Sequence, residues 1–208
     1  THDLRGPLRS VIGAIDLAKI MDSLPEIREL LDMMDEAVKK LDEFITNTHE
    51  YYKLKRGNLI FEAIDFNKLL SDTTAIFSIA GRMDNIRFAS HVEQQEQFLC
   101  DEVSLKIILN NLFSNAFKFQ RRQATDKFVE VGIEVKNGKA EIRVRDNGIG
   151  IQEHHIDNIF GMFYRATSEE QGSGFGLYNV KDAIIRLNGT IKVESTVNEG
   201  TLFIVTIP

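Results

Sequence analysis

Residues 128–150 read FVEVGIEVKNGKAEIRVRDNGIG, and their alternation decides the architecture of the second half of the chain. Phe128 to Val135 and Ala140 to Arg145 carry apolar residues at every second position, the period of a strand with one buried face. Between them stand Asn137 and Gly138, the pair that suits the two positive-φ positions of a tight hairpin turn. The second strand places Ile142 and Val144 on one face and Arg143 and Arg145 on the other, so period two carries Asp146 onto the apolar side. A carboxylate aimed inward is costly unless a donor meets it. The exocyclic amine of adenine is a donor of the right kind; a turn in which Asp146 caps its own backbone amides is the reading without a ligand. Gly148 and Gly150 follow at once, and glycine permits positive φ and close approach of a ligand to the backbone.

Working outward, Glu102 to Phe119 is an amphipathic helix. Leu105, Ile108, Leu109, Leu112, Ala116 and Phe119 form the face that packs on the sheet. Asn111, Asn115 and Lys118 line up elsewhere at intervals of four and three. Two amides and an ammonium on one stripe can hold a hydrated Mg²⁺ and a triphosphate, although the same stripe also fits a solvated helix face. Gly172, Ser173, Gly174, Phe175 and Gly176 precede a helix predicted over Gly176 to Leu187, and the amides at a helix start suit phosphate. Ala166 to Gln171 is a polar loop, not a strand, and no Lys follows a glycine in the Walker manner, so a flexible lid describes the run better than a Rossmann turn. Strands are expected at Leu59 to Asp65, Ile86 to Val92, Thr190 to Ser195 and Leu202 to Ile207, with a helix at Phe66 to Ala80. The expected fold class is α+β, an α/β sandwich in which helices cover one face of a mixed sheet.

The first quarter of the chain follows a different rule. Leu4, Leu8, Val11, Ile15 and Ala18 trace a heptad seam, and Ile27, Leu31, Met34, Val38, Leu41, Ile45, Thr48 and Tyr52 trace another. Asp22, Ser23, Leu24 and Pro25 break the pattern between them. An antiparallel helical hairpin results, and because two helices alone cannot enclose such a seam, a homodimeric four-helix bundle is expected. The change of pattern after Arg56, Gly57 and Asn58 divides the chain into 1–58 and 59–208. His2 falls off the seam, on the outer surface with Gly6 and Arg9. An exposed imidazole is substantially unprotonated near neutral pH and nucleophilic, and Asp3 beside it can accept a proton or orient the ring.

With 25 Lys and Arg against 31 Asp and Glu, the net charge of −6 excludes the phosphate-neutralising surface of a nucleic-acid binder. The single Cys100 fits a reducing compartment and a small core position. No apolar run approaches the ~18 residues of a membrane span. A soluble, cytoplasmic chain is expected, and because Thr1 and His2 run straight into a helical pattern, any membrane attachment would come from a segment upstream. His154 and His155 are adjacent with no ligand partner at metal spacing and are assigned to the surface, while His49 and His91 carry no signal.

The order of these features resembles one family. His2-Asp3-Leu4-Arg5-Gly6-Pro7-Leu8 resembles the H box of sensor histidine kinases, and Asn111 to Phe119 is similar to their N box. Asp146-Asn147-Gly148-Ile149-Gly150 looks like the first glycine box, Ile159 to Arg165 like the F box, and Gly172-Ser173-Gly174-Phe175-Gly176-Leu177 like the second glycine box. Gly200-Thr201 and Phe203 match a short terminal motif. The resemblance implies a dimerisation and phosphotransfer hairpin followed by an ATP-binding sandwich shared with gyrase and heat-shock chaperone ATPases. It implies ATP and Mg²⁺ as cofactors and the receiver domain of a response regulator as partner. His2 would be the phospho-acceptor and Asp3 the base. Asn115 would bind the metal, with Asn111 beside it and Lys118 on phosphate. Asp146 would read adenine in a pocket shaped by Gly148 and Gly150. Gly172, Gly174 and Gly176 would form the lid over the phosphates, Tyr164, Phe175 and Leu177 would also bind the nucleotide, and Arg165 would reach the γ-phosphate after the lid closes.

Two positions depart from the pattern. Gly6 stands where relatives that also dephosphorylate their partner commonly carry Thr or Asn, which implies weak or absent phosphatase activity. Gly161 stands where an acidic residue is frequent. Two rival readings keep the same pocket: an ATP-driven clamp of the gyrase and chaperone kind, and a scaffold that signals through dimer geometry alone. Release of phosphate without a labelled protein would mark the first, and failure to bind ATP the second.

Overall fold

The computed structural model describes residues 2–56, 58–162, 164–166 and 174–208, and at 2–5, 40, 43–44 and 46–56 it describes the backbone alone. Two helices open the chain, α1 (His2–Ala18) and α2 (Leu24–Arg56). Pro25 falls in the first turn of α2, where a missing N–H leaves no bond unmade. Within one chain the pair closes on Ala14, Leu30 and Ala37, which are buried, while the seam residues Leu8, Ile15, Leu31, Val38 and Ile45 remain 40% to 61% exposed. The seam therefore lies one step round from the contact between α1 and α2, on a surface that the single chain leaves uncovered.

The rest of the chain builds two sheets. Strand β1 (Phe61–Ala63) leads to α3 (Phe66–Ile79), capped by the Asp65 carboxylate, which accepts from Lys68 N at 3.1 Å. β2 (Arg87–Gln94) follows, then β3 (Leu99–Asp101), which pairs antiparallel with β1 in a small sheet of its own. The strand expected at Leu59 to Asp65 is thus shorter, and its partner β3 lies where no strand was expected. Asp101 ends β3 and caps α4 (Glu102–Lys118): its carboxylate accepts from Ser104 N at 2.8 Å and from Ile60 N at 3.1 Å. Burial alone would raise the Asp101 carboxyl, but the Ser104 hydroxyl, which donates to it at 2.6 Å, together with these amides holds the group below its ordinary value.

β4 (Phe128–Lys136), β5 (Lys139–Asp146), β6 (Thr190–Thr196) and β7 (Gly200–Ile207) join β2 in a five-stranded sheet of order β2-β4-β5-β7-β6. The β2–β4 pair is parallel and the others antiparallel, so the sheet is mixed. Asn137 and Gly138 take φ of 54° and 72° at the hairpin between β4 and β5, as their types predict. Val129, Val131, Ile133, Ile142, Val144, Phe203 and Val205 form the inner face, covered by α3, α4 and α6 (Gly176–Arg186). Phe113 and Phe117 of α4 meet Phe77 of α3 and Phe88 of β2 with ring centroids 5.3 to 6.3 Å apart, which ties helices and sheet together. A short α5 (Glu153–Ile156) lies between β5 and α6. Cys100 is fully buried in this core, and burial pushes its thiol up to about 11, which makes it an inert packing residue. Among the described residues no helix is long and apolar enough to cross a membrane.

Candidate functional site

Asp146 is the last residue of β5, and its register with Val129 on one side and Thr201 on the other turns its side chain to the inner face, where it is 8% exposed. Its carboxylate accepts from Gly148 N at 2.8 Å and from the Thr201 amide. Those two bonds favour the ionised form, yet burial outweighs them and pushes the carboxyl up to about 6. A buried carboxylate in its charged state gains from a further donor.

Asn147 is buried and wholly committed to structure. Its Oδ1 accepts from Phe128 N and its Nδ2 donates to Asp126 O, both at 2.8 Å, while Arg121 Nε donates to the Asn147 carbonyl at 3.0 Å. It clamps the 120–128 segment against the end of β5 and so fixes the backbone that carries Asp146. Gly148 and Gly150 let the backbone pack closely at the same place. A Cβ at Gly148 would lie 2.2 Å from Phe119 O, and one at Gly150, whose φ is +69°, would lie 2.1 Å from Thr196 O. The side on which each glycine would carry a Cβ is filled by the protein's own backbone.

On α4, Asn111 donates from Nδ2 to Ile107 O at 2.8 Å, and its Oδ1 is turned to the start of α6, 2.7 Å from where a Cβ on Gly176 would stand. Gly176 is therefore the residue that lets the two helices meet. Asn115, one turn on and half-buried, makes no side-chain hydrogen bond among the described residues. Lys118 is half-buried with its ammonium 5.2 Å from the Phe119 ring centroid. Among the described residues no side chain caps the start of α6, and a helix start favours an anion. Among the described residues no group of three or more His, Cys, Asp or Glu could hold a metal. Amide oxygens from Asn111 and Asn115 fit a Mg²⁺ that keeps most of its shell as water and phosphate oxygen.

Gly174 has φ of +71° and Phe175 is buried, its ring 6.4 Å from that of Tyr178. Leu177 packs on the core. Phe175 and Leu177 thus anchor the end of the loop in the protein interior. Gly172 lies outside the described residues, as do the side chains of His2 and Asp3, whose backbone is helical. Gly6 is exposed on α1. Tyr164 is half-buried and Arg165 exposed. His155, expected at the surface, is half-buried and bonded to Tyr164, and its ring lies 4.0 Å from that of His154. A helix of only four residues does not keep adjacent side chains apart as a long one would. Thr201, whose amide and register hold Asp146, was signalled only by the Gly200-Thr201 match.

Residues 100–208, more than half of the chain, match the family described as histidine kinase-, DNA gyrase B- and HSP90-like ATPases. The chain belongs to this ATPase family. Among curated relatives, it is 28% identical over 217 residues to the sensor histidine kinase GacS of Pseudomonas protegens, covering 98% of this chain and 23% of GacS. The chain spans about a quarter of the length of the curated relatives it matches first. Among solved structures, it superposes with a TM-score of 0.77 on histidine kinase ThkA in complex with response regulator protein TrrA, at 22% identity over 100% of this chain and 59% of that one. Full-length ShkA in complex with AMPPNP gives a TM-score of 0.70 at 23% identity, over 100% of this chain and 44% of that one. These two likenesses show that the chain shares its fold, helical hairpin included, with those structures over its whole length.

Proposed function

We propose that this chain is the catalytic core of a sensor histidine kinase, which phosphorylates His2 from Mg-ATP and passes the phosphoryl group to an aspartate of a response-regulator receiver domain. The observation that carries the reading is the buried Asp146 carboxylate, held above its ordinary value by burial despite two backbone donors, on the inner face that α4 covers. ShkA with AMPPNP and ThkA with TrrA support a nucleotide and a response regulator as ligands of this fold.

Residues 1–58 then act as the dimerisation and phosphotransfer unit and 59–208 as the ATP-binding unit. Asp146 accepts from the adenine amine, the start of α6 and Lys118 hold phosphate oxygens, and Asn115 with Asn111 would hold Mg²⁺, which would supply positive charge against the phosphates. An imidazole nitrogen of His2 attacks the γ-phosphorus in line, its bond to the bridging oxygen breaks, ADP departs with that electron pair, and Asp3 takes the imidazole proton. Catalysis is positioning and charge neutralisation. The need for ATP and a regulator places the chain in the cytoplasm.

Incubation with γ-labelled ATP should give a protein-bound label that is acid-labile and base-stable, and His2→Ala should abolish it. Label that survives the substitution would mean another acceptor, and phosphate release without label would favour an ATP-driven clamp.

The uncovered seam supports a homodimer, in which Leu8, Ile15, Leu31, Val38 and Ile45 face a second copy. Val38 is 52% exposed within one chain, so Val38→Glu leaves the hairpin contact intact but puts a charge into the bundle. Light scattering should read a dimer for the wild type and a shift toward monomer for V38E; an unchanged dimer would place the interface elsewhere.

A further inference from the structure

Asp146, Thr201 and Ser195 stand abreast at one end of the large sheet, on β5, β7 and β6. The strand registers pair Asp146 with Thr201 and Thr201 with Ser195, so all three side chains share the inner face. Thr201 is buried, and its amide donates to the Asp146 carboxylate. Its hydroxyl oxygen Oγ1 lies 2.9 Å from Ser195 Oγ. Ser195 Oγ has two further partners, the Ile151 amide at 2.8 Å and the Gly200 carbonyl at 2.9 Å. The amide can only donate and the carbonyl can only accept, whereas a serine hydroxyl has one proton and two lone pairs. The Ser195 proton therefore goes to Gly200 O, because turning it toward Thr201 would leave two oxygens face to face at 2.9 Å with no hydrogen between them. One Ser195 lone pair accepts from Ile151 N, and the other accepts from the Thr201 hydroxyl. Thr201 Oγ1 then has no proton left to give and stands beside Asp146 as an acceptor.

We propose that Ser195 is a positioning residue for base selection: by holding the proton of Thr201 it keeps that hydroxyl from donating beside Asp146, so that the site takes a base edge carrying an amine and rejects one carrying a carbonyl. This rests on the reading of Asp146 as the acceptor for the adenine amine. That amine has two N–H groups, and two adjacent acceptors, Asp146 and Thr201, serve them directly or through one water. Hypoxanthine is the sharpest comparison, since it differs from adenine only in an oxygen where the amine stands and a proton on the neighbouring ring nitrogen. Alanine at 195 releases the Thr201 hydroxyl, which can then donate to Asp146 or to the hypoxanthine oxygen. The first weakens adenine and the second admits its competitor. Threonine at 195 keeps a hydroxyl and suits a strand.

Calorimetric titration of Mg-ADP and of Mg-IDP, its hypoxanthine counterpart, into the full chain tests this for wild type, S195A, S195T, T201V and the double variant S195A/T201V, with a thermal melt on each. The readout is the ratio of the two Kd values, which a general loosening of the sheet would leave unchanged. The wild type should favour ADP, S195A should narrow that preference about threefold to tenfold, the worth of one net hydrogen bond, and S195T should keep it within about twofold. T201V should narrow it too, since the second acceptor is gone, and adding S195A to T201V should change it no further, since Ser195 then has no hydroxyl to hold. Undiminished preference in S195A, a preference as narrow in S195T as in S195A, or further narrowing in the double variant would each overturn the inference. Should S195A fail to fold, undiminished preference in T201V overturns it just the same. A wild type that binds ADP and IDP equally, or binds neither, would instead sink the reading of Asp146 as the adenine acceptor, and this inference with it.

Discussion

Asp146→Asn is expected to abolish measurable nucleotide binding while making the protein more stable at neutral pH. With Asp146 as the proposed acceptor for the adenine amine, the substitution reverses the polarity that binding requires. The side chain must keep an oxygen toward the Gly148 and Thr201 amides, as Asp146 does now, so the new amide nitrogen takes the place of the second carboxylate oxygen. A donor then faces a donor in a site closed to water, and roughly 3–4 kcal/mol, or 100- to 1000-fold in affinity, is lost. Stability rises for the opposite reason. Burial lifts the Asp146 carboxyl from 3.8 to about 6, so holding it ionised opposes folding by roughly 3 kcal/mol above pH 6. The sign follows from linkage: a carboxyl raised on folding carries no penalty below its unfolded value near 4, and the penalty grows between pH 4 and pH 6 and is complete above that. Urea unfolding of the two proteins should therefore diverge as pH rises from 4 to 7, with the Asn variant the more stable. Nucleotide affinity of the wild type should fall as pH drops below about 6, as Asp146 takes up its proton. Equal stability of the two proteins at pH 7, or retained nucleotide affinity in the variant, would show that this carboxylate is neither strained nor used.

How much of this was legible in the sequence depended on whether a residue's role is local. β4 and β5, their Asn137-Gly138 turn and the inward aim of Asp146 follow from period two, because one face of the sheet is buried and a slip by one residue would invert every side chain. α4 was equally plain. β3 was not, since three residues between β2 and α4 are too few to show a period, and its partner β1 lies some forty positions back. The heptads identified which residues of α1 and α2 share a stripe but not which surface covers it: the hairpin contact falls on Ala14, Leu30 and Ala37. The glycines show the same limit. Composition says that Gly148 and Gly150 tolerate close approach, and only the fold shows that Phe119 and Thr196 are what approach them. The His155–Tyr164 bond spans a separation that belongs to no regular element, so no periodicity could announce it.

Gly200→Ala is expected to damage folding and the site together, whereas Gly132→Ala in the same sheet should do neither. Gly200 opens β7 at φ +121°, a conformation essentially closed to other residues, and a Cβ there would lie 2.0 Å from Asp146 O and 2.7 Å from Asn147 Cα. Both neighbours are backbone, so no side chain can turn aside, and β7 must move away from β5 at the pair where Thr201 holds Asp146. Backbone strain and overpacking together predict a loss of roughly 2–5 kcal/mol. Gly132, in the middle of β4, has ordinary φ and as its nearest neighbour Arg143 Cβ at 3.9 Å, a normal contact distance. Alanine there removes freedom from the unfolded chain and should stabilise by roughly 0.4–1 kcal/mol. Because the strain at Gly200 bears on the backbone that aims Asp146, Mg-AMPPNP affinity should fall in G200A even at a temperature where the variant remains folded, and should be unchanged in G132A. If G200A proved as stable as G132A and bound nucleotide as well as the wild type, the close packing of β7 on the end of β5 would not be what orients the Asp146 carboxylate.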